Sequence, residues 1–250
     1  SAPARLSTLR EKLEAFSALG LDLCWVARFD AGFAARPAGE FVERILVGTL
    51  KVKHLFVGGD FRFGAGREGG VDALRAAGER LGFRVETVED VAVDGERVSS
   101  SAVRAALAAG QMERAARLLG RPYAIAGRVS PGERLGRRLG FATANIRLKR
   151  GRPALSGVFA VEALGLPGGA RRGVANVGRR PSAGRLAEPR LEAHLFDFDA
   201  DIYGAHLNVR FLHKLRDEAR FPDLAALRAQ IARDVRAARD YFKEECLKEE

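Results

Sequence analysis

Gly120-Arg121-Pro122-Tyr123-Ala124-Ile125-Ala126-Gly127-Arg128-Val129 divides the chain into two kinds of pattern. Gly and Pro break the helical period that precedes them, and a short apolar run follows. Upstream, helix-like and strand-like segments alternate. Leu6, Leu9, Leu13, Phe16 and Leu19 recur at three and four. Leu23–Phe29 reads as a buried strand, Glu40–Leu50 as a helix with Phe41, Ile45 and Leu46 on one face, and His54–Val57 as a second strand. Val71–Leu81 is helical again, Phe83–Val88 a third strand, and helices follow over Ala102–Ala109 and Met112–Leu119. Such alternation predicts a parallel sheet with covered faces.

Downstream, five strand-like runs follow without intervening helices: Tyr123–Val129, Gly157–Leu164, Gly173–Val177, Leu191–Phe198 and His206–Leu212. Gly/Pro-rich turns separate them, which predicts a small antiparallel barrel. Leu224, Leu227, Ile231, Val235, Ala238 and Phe242 then form one apolar stripe, a long closing helix. The expected division is 1–110 for the α/β part, 111–122 for a linker helix and 123–250 for the barrel with its helix.

The 250 residues are 47% hydrophobic and 30% charged, enough to bury a core. Disordered, collagen-like and disulfide-scaffold classes are excluded. No apolar run approaches 18 residues, so no membrane span is expected. The start at Ser1 has no secretory h-region and no Met, as in a trimmed or partial chain. Cys24 and Cys246 are far apart, which suits a reducing, cytoplasmic compartment and excludes a four-ligand zinc site.

The net charge of +10 is unevenly placed. Residues 1–110 carry 15 basic and 15 acidic side chains, 111–190 carry 17 and 4, and 191–250 carry 10 and 13. The middle stretch, at +13, would attract nucleotide phosphates or nucleic acid, and it would equally serve as a solubilising surface.

Four segments could carry chemistry. In Gly127–Asn145, Gly127, Gly132, Gly136 and Gly140 permit tight turns with inward N–H groups, and Arg128, Arg134, Arg137 and Arg138 add charge. Phe141 follows, and the loop ends in Thr143 and Asn145, two neutral oxygen donors at i and i+2. These can share one hard cation that phosphates would mostly hold. A basic hairpin loop is the plainer account.

In Leu191–Gly204, Glu192, His194 and Phe196 share one strand face. By position alone, Glu192 is either a solvated outer residue, the commoner case, or a functional inner one, and Asp197, Asp199 and Asp201 are turn formers, since no complete calcium loop is present. Val57–Gly64 runs from a strand into a loop. The Gly-x-Gly-x-x-Gly at Gly64, Gly66 and Gly69 does not directly follow that strand, so it is a weak dinucleotide signal. No Gly-x4-Gly-Lys-Ser/Thr occurs. In Arg97–Arg104, Ser99, Ser100 and Ser101 open a helix between arginines. That makes an anion site or, more simply, a serine N-cap.

Together, and in order, these segments resemble the bacterial bifunctional riboflavin kinase/FMN adenylyltransferase (FAD synthetase) family over almost the whole chain. Asp60-Phe61-Arg62-Phe63-Gly64 and Arg97–Arg104 are similar to two signatures of its adenylyltransferase domain. Gly140-Phe141-Ala142-Thr143-Ala144-Asn145 resembles the kinase signature, with Ala142 where proline is usual. Gly173–Gly178, Arg180-Pro181-Ser182, Leu191–Gly204 and Phe211–Glu218 with Phe221 resemble the segments that follow it.

The resemblance implies a truncated nucleotidyltransferase-like Rossmann-type α/β domain, then a barrel that transfers phosphate from ATP to riboflavin with Mg²⁺, giving FMN. It implies Glu192 as the base. ATP would be held by Gly127, Gly132, Arg137, Gly140, Phe141, Thr143 and Asn145, of which Thr143 and Asn145 also hold the metal. Flavin would be held by Arg216, Glu218 and Phe221. For adenylylation of FMN to FAD it implies Asp60, Phe61, Arg97, Ser100, Ser101 and Arg104. None of His54, His194, His206 or His213 forms the family's His-x-Gly-His pair, so weak FAD synthesis is expected of these residues alone. The partners implied are small molecules, with no nucleic acid and no membrane; the alternative is a non-enzymatic nucleic-acid binder. No oligomeric state follows from the sequence.

Overall fold

The computed structural model describes residues 3–132, 135–148, 152–179 and 189–248. Of the expected segments, Glu133-Arg134 and Arg180-Pro181-Ser182 lie outside them. The chain forms two compact units, Leu21–Arg97 and a larger one of residues 1–20 with 98–250.

The larger unit begins with helix α1 (Leu9–Ala18), closed at its start by a capping box between Thr8 and Glu11. In the smaller unit, α2 (Ala31–Ala34) and α3 (Ala38–Glu40) lead into a π-helical stretch over Phe41–Thr49, which buries Val42, Ile45 and Leu46. Strand β1 (His54–Gly58), helix α4 (Val71–Leu81) and strand β2 (Arg84–Val88) follow, with β1 and β2 paired in parallel. A small hairpin, β3 (Ala92–Val93) with β4 (Glu96–Arg97), ends this unit.

Two expectations fail in the smaller unit. Leu23–Phe29 is not a buried strand: it has no regular structure, and Leu23, Trp25, Val26 and Phe29 are exposed. The parallel sheet among the described residues has two strands, β1 and β2, and neither pairs with it. An apolar run becomes a strand only where a neighbour takes its backbone N–H and C=O groups. The sheet is also covered on one face, not both. Val57 with Leu55 and Val85 packs beside Leu74 and Leu46, while Phe56 and Val88 stay exposed.

The larger unit continues with α5 (Ser100–Ala108) and α6 (Met112–Leu119), which pack with the barrel core through Val103, Leu107, Met112 and Leu118. Glycine is required after α6, because Gly120 caps it at φ 68°. The barrel comprises β5 (Tyr123–Ser130), β6 (Ala144–Arg147), β7 (Gly157–Leu164), β8 (Arg171–Arg179), β9 (Pro189–Leu195) and β10 (His206–Arg216). It closes in the order β10-β5-β6-β9-β8-β7, all antiparallel.

The expected count of five strands is therefore corrected to six. Strand β6 is only four residues long and directly follows the glycine loop, too short to show a period of two. Inside, Phe159, Phe211, Ile125, Ile146, Leu191 and Val209 are fully buried, with Phe159 and Phe211 edge to face at 5.3 Å. Helix α7 (Leu135–Arg138) sits in the loop between β5 and β6. The closing helix, α8 (Leu224–Lys248), lays Ala238 and Phe242 on the outer face at Val158, Ala160, Val174 and Phe196.

The amino-terminal segment is tied to this unit. Tyr123 Oη donates to the Leu6 carbonyl at 2.9 Å, the Ala126 amide to Glu11 Oε1 at 2.8 Å, and Arg104 Nε to the Ala4 carbonyl at 2.7 Å.

On α8, Tyr241 stacks on His213 at 5.0 Å. Burial, with Glu245 and Glu113 adding negative charge nearby, pushes its phenol from 10.0 up to about 12. The folded state thus keeps this proton to higher pH than the unfolded chain. The stabilisation is full below pH 10 and is lost as pH rises through about 12. Tyr241→Phe is expected to flatten the decline of stability across that interval, as read by denaturant midpoints at stepped pH.

Candidate active site

Strand pairing assembles a row of polar side chains on the outer face of the barrel. On β9, Leu191, Ala193 and Leu195 point into the core, so Glu192 and His194 point outward. Glu192 lies directly opposite Asn145 of β6 and Asn176 of β8. Asn145 lies opposite Ser130 of β5, and Asn176 opposite Val158 of β7, which in turn lies opposite Arg216 of β10. Residues directly opposite share a face, with Cβ atoms ~5 Å apart. Ser130, Asn145, Glu192, Asn176, Val158 and Arg216 thus form one line across all six strands.

Glu192 is half-buried in that line. The sequence reading set a solvated outer residue against a functional inner one. The fold offers a third case, an outer residue that is nonetheless half-buried. Asn176 lies in the expected Gly173–Gly178 segment, but it escaped the sequence reading as a site residue. An amide alternating with valines on a strand carries no signal of its own.

The glycine loop passes over the Asn145 end of the row. A side chain at Gly132 would push the Asn145 amide aside, so glycine lets the loop cross there without disturbing it. Asn145 Nδ2 donates to the Thr143 carbonyl at 3.2 Å, and Ser130 Oγ to the Asn145 carbonyl at 3.2 Å. Gly136 packs beside the Thr143 hydroxyl and accepts the Phe141 amide at 2.8 Å, while Gly140 turns with φ 90°. Gly127 is placed differently. It lies within β5, where a Cβ would meet Ile146 of the barrel core.

His194 joins the loop to the sheet: its Nδ1 is 2.9 Å from the Ala142 carbonyl, and its ring meets Phe141 edge to face at 5.5 Å. Beside it opens a cleft of ≈ 50 Å³ lined by Arg137, Thr143, Ala144, Asp199, Asp201 and Tyr203. Asp201 accepts the Tyr203 amide at 2.9 Å, and Asp197 stands at φ 53°. Both are turn aspartates. Hydrogen bonding from Arg239, and then its charge, hold the Asp197 carboxyl below the usual range.

The other end of the row carries the flavin candidates. Arg216 closes β10, and Phe221 lies 5.7 Å from its guanidinium. The Glu218 carboxylate occupies the space directly over Gly178, where any Cβ would collide with it. Between them, Asp217 is held below its ordinary range by a 2.6 Å contact from Lys214. Gly178→Ala is expected to displace Glu218 and raise the KM for riboflavin roughly 3–10-fold with little change in melting temperature. An unchanged KM would remove Glu218 from the binding segment.

The adenylyltransferase candidates divide between the units. In the smaller one, Arg97 bridges Asp90 at 2.8 Å and Asp60 at 3.6 Å, and both acids raise its pKa, Asp90 more strongly. Phe61 stacks on Phe63 at 5.8 Å. In the larger one, Ser99 caps α5 by accepting the Ala102 amide, Ser100 and Ser101 form its first turn, and Arg104 binds the Ala4 carbonyl.

A donor set of Thr143 and Asn145 suits a hard cation that phosphates chiefly hold. No group of three or more His, Cys, Asp or Glu able to hold a metal exists among the described residues.

The chain is similar to known proteins along nearly all of its length. Residues 119–242 match the family model described as riboflavin kinase, and residues 1–102 the one described as FAD synthetase. A bifunctional riboflavin kinase/FMN adenylyltransferase of Escherichia coli strain K12 is 48% identical over 96% of this chain and 77% of its own length. That of Haemophilus influenzae is 45% identical over 97% and 78%. A solved structure described as a macrolide-efflux protein from Streptococcus pneumoniae superposes with TM-score 0.79 at 27% identity, over 94% of this chain and 75% of that one.

Proposed function

Given that the chain belongs to the family of bifunctional riboflavin kinase/FMN adenylyltransferases, we propose that its kinase reaction runs on the polar row of the barrel. The observation that carries this reading is the direct cross-strand placement of Glu192 between Asn145 and Asn176.

Phosphoryl transfer needs alignment and charge neutralisation more than covalent help from the protein. Glu192 would accept the proton of the riboflavin 5′-hydroxyl late in the transfer, when that proton has become acidic. Asn176, beside it, would orient the same hydroxyl by hydrogen bonding. Amides of Gly132, Gly136 and Gly140 and the Arg137 guanidinium would lie along the phosphates. Thr143 and Asn145 would hold Mg²⁺, whose part is to neutralise phosphate charge. Glu218 and Phe221 would cover the flavin.

For FMN adenylylation, Asp60, Phe61 and Arg97 would serve the nucleotide, with Ser100, Ser101 and Arg104 toward phosphates. The kinase is assigned to 123–250, the adenylyltransferase portion to 1–110 and the linker helix to 111–122. The family matches to 119–242 and 1–102 support that division. The partners are small molecules, with no nucleic acid; no observation favours the nucleic-acid reading of the +13 stretch. No helix among the described residues is long and apolar enough to cross a membrane. A cytoplasmic setting agrees with free, exposed Cys24 and Cys246.

The test is product analysis after incubation with riboflavin, ATP and Mg²⁺. FMN is expected. Its absence at substrate saturation would overturn the kinase reading, and FAD in addition would place the second activity in these residues.

A further inference from the structure

One buried acid has no part in the chemistry above. Asp234, on α8, is 5% exposed, the one polar side chain among the fully buried described residues. Both of its oxygens are engaged. Oδ1 accepts Arg216 Nε at 2.9 Å and Gln230 Nε2 at 2.8 Å, and Oδ2 accepts Arg216 Nη2 at 2.7 Å. This is the bidentate fork in which guanidinium and carboxylate fit best.

Arg216 also donates from Nη1 to the Asp217 carbonyl at 2.8 Å, and its guanidinium carbon stands over the Phe221 ring at 5.7 Å. The fork that would grip an oxygen-rich ligand is therefore already occupied. What Arg216 holds is its own chain, where β10 ends and an irregular segment begins. That segment carries Glu218 onto Gly178 and Phe221 beside the row.

We propose that Asp234 is a positioning residue of the kinase. It acts through Arg216 to hold residues 217–221 against the barrel, and Arg216 is a pin for the flavin-covering segment in place of a direct flavin ligand. A buried acid suits this task, because an unpaired charge there would be costly and the pair has one geometry that satisfies both partners. Gln230 takes the remaining lone pair of Oδ1 and fixes the carboxylate plane. The kinetic half of this proposal rests on the riboflavin kinase reading; the structural half does not.

The experiment compares Asp234→Asn, Arg216→Lys and the double variant. In each single variant, kcat/KM for riboflavin is expected to fall at least about tenfold while the KM for ATP stays within about twofold. The double variant should be no worse than either single one, because the pair works as a unit. Without substrates, amide exchange at 217–221 should quicken about tenfold or more in both single variants, with Leu191–Leu195 unchanged.

Unchanged exchange at 217–221, or equal losses toward ATP and riboflavin, would overturn the proposal. So would Arg216→Lys proving far worse than Asp234→Asn, the mark of a direct flavin ligand. Should Asp234→Asn not fold, Arg216→Lys carries the same exchange readout. Absence of FMN formation by the unaltered protein would defeat the kinase reading instead, and the exchange result would still decide the pin.

Discussion

Replacing Glu192 with alanine is expected to lower riboflavin kinase turnover by ~10²–10⁴-fold, the range general bases supply, while the KM for ATP stays within about twofold. The asymmetry follows from the row. Glu192 stands between two strands' asparagines, and Gly132 of the glycine loop lies against Asn145. Loss of the carboxylate removes a proton acceptor and leaves Gly132 against Asn145 and Gly136 against Thr143. Glu192→Gln, which keeps shape and loses the charge, should be nearly as slow. Turnover close to that of the unaltered protein in either variant would sink the assignment, and a parallel loss of ATP binding would make Glu192 a loop support. Single-turnover quench measurements separate these outcomes.

Phe159→Ala is expected to destabilise the larger unit by ~3–5 kcal/mol, a large part of the ~5–15 kcal/mol that holds a typical domain. Phe159 is completely buried, meets Phe211 edge to face, and lies on β7 between β8 and β10. A closed barrel cannot collapse onto the void without breaking its ladder, so the cavity persists and most of the cost is felt. Denaturant unfolding should show a lower midpoint with the same slope. A loss under about 1 kcal/mol would mean the barrel interior is not close-packed as described. Because Phe159 points inward and the polar row outward, the folded fraction should retain an unaltered KM for ATP.

Much of this was readable from residue patterns. Val71–Leu81, Met112–Leu119 and Gly157–Leu164 fold over the residues their periods indicate. The alternation Leu191, Ala193, Leu195 against Glu192, His194 correctly separated the two faces of the strand. What escaped were features decided by a partner. The strand expected at Leu23–Phe29 found no neighbour in the two-stranded sheet. The β6 strand is recognisable only because β5 and β9 flank it. Asn176 gains meaning from facing Glu192, and Asp234 from facing Arg216 across the chain.

By itself, the order of residues determined most element types, the switch from alternating α/β to successive strands near 120, and which residues of each long strand share a face. These follow from local periodicity and from where Gly and Pro interrupt it. Only the tertiary structure decided the register that sets Ser130, Asn145, Glu192, Asn176, Val158 and Arg216 in one line, the half-burial of an outer glutamate, and the pairing of Arg216 with Asp234. Register depends on barrel closure, which requires every strand to meet both neighbours at one consistent stagger, and that condition belongs to no single segment.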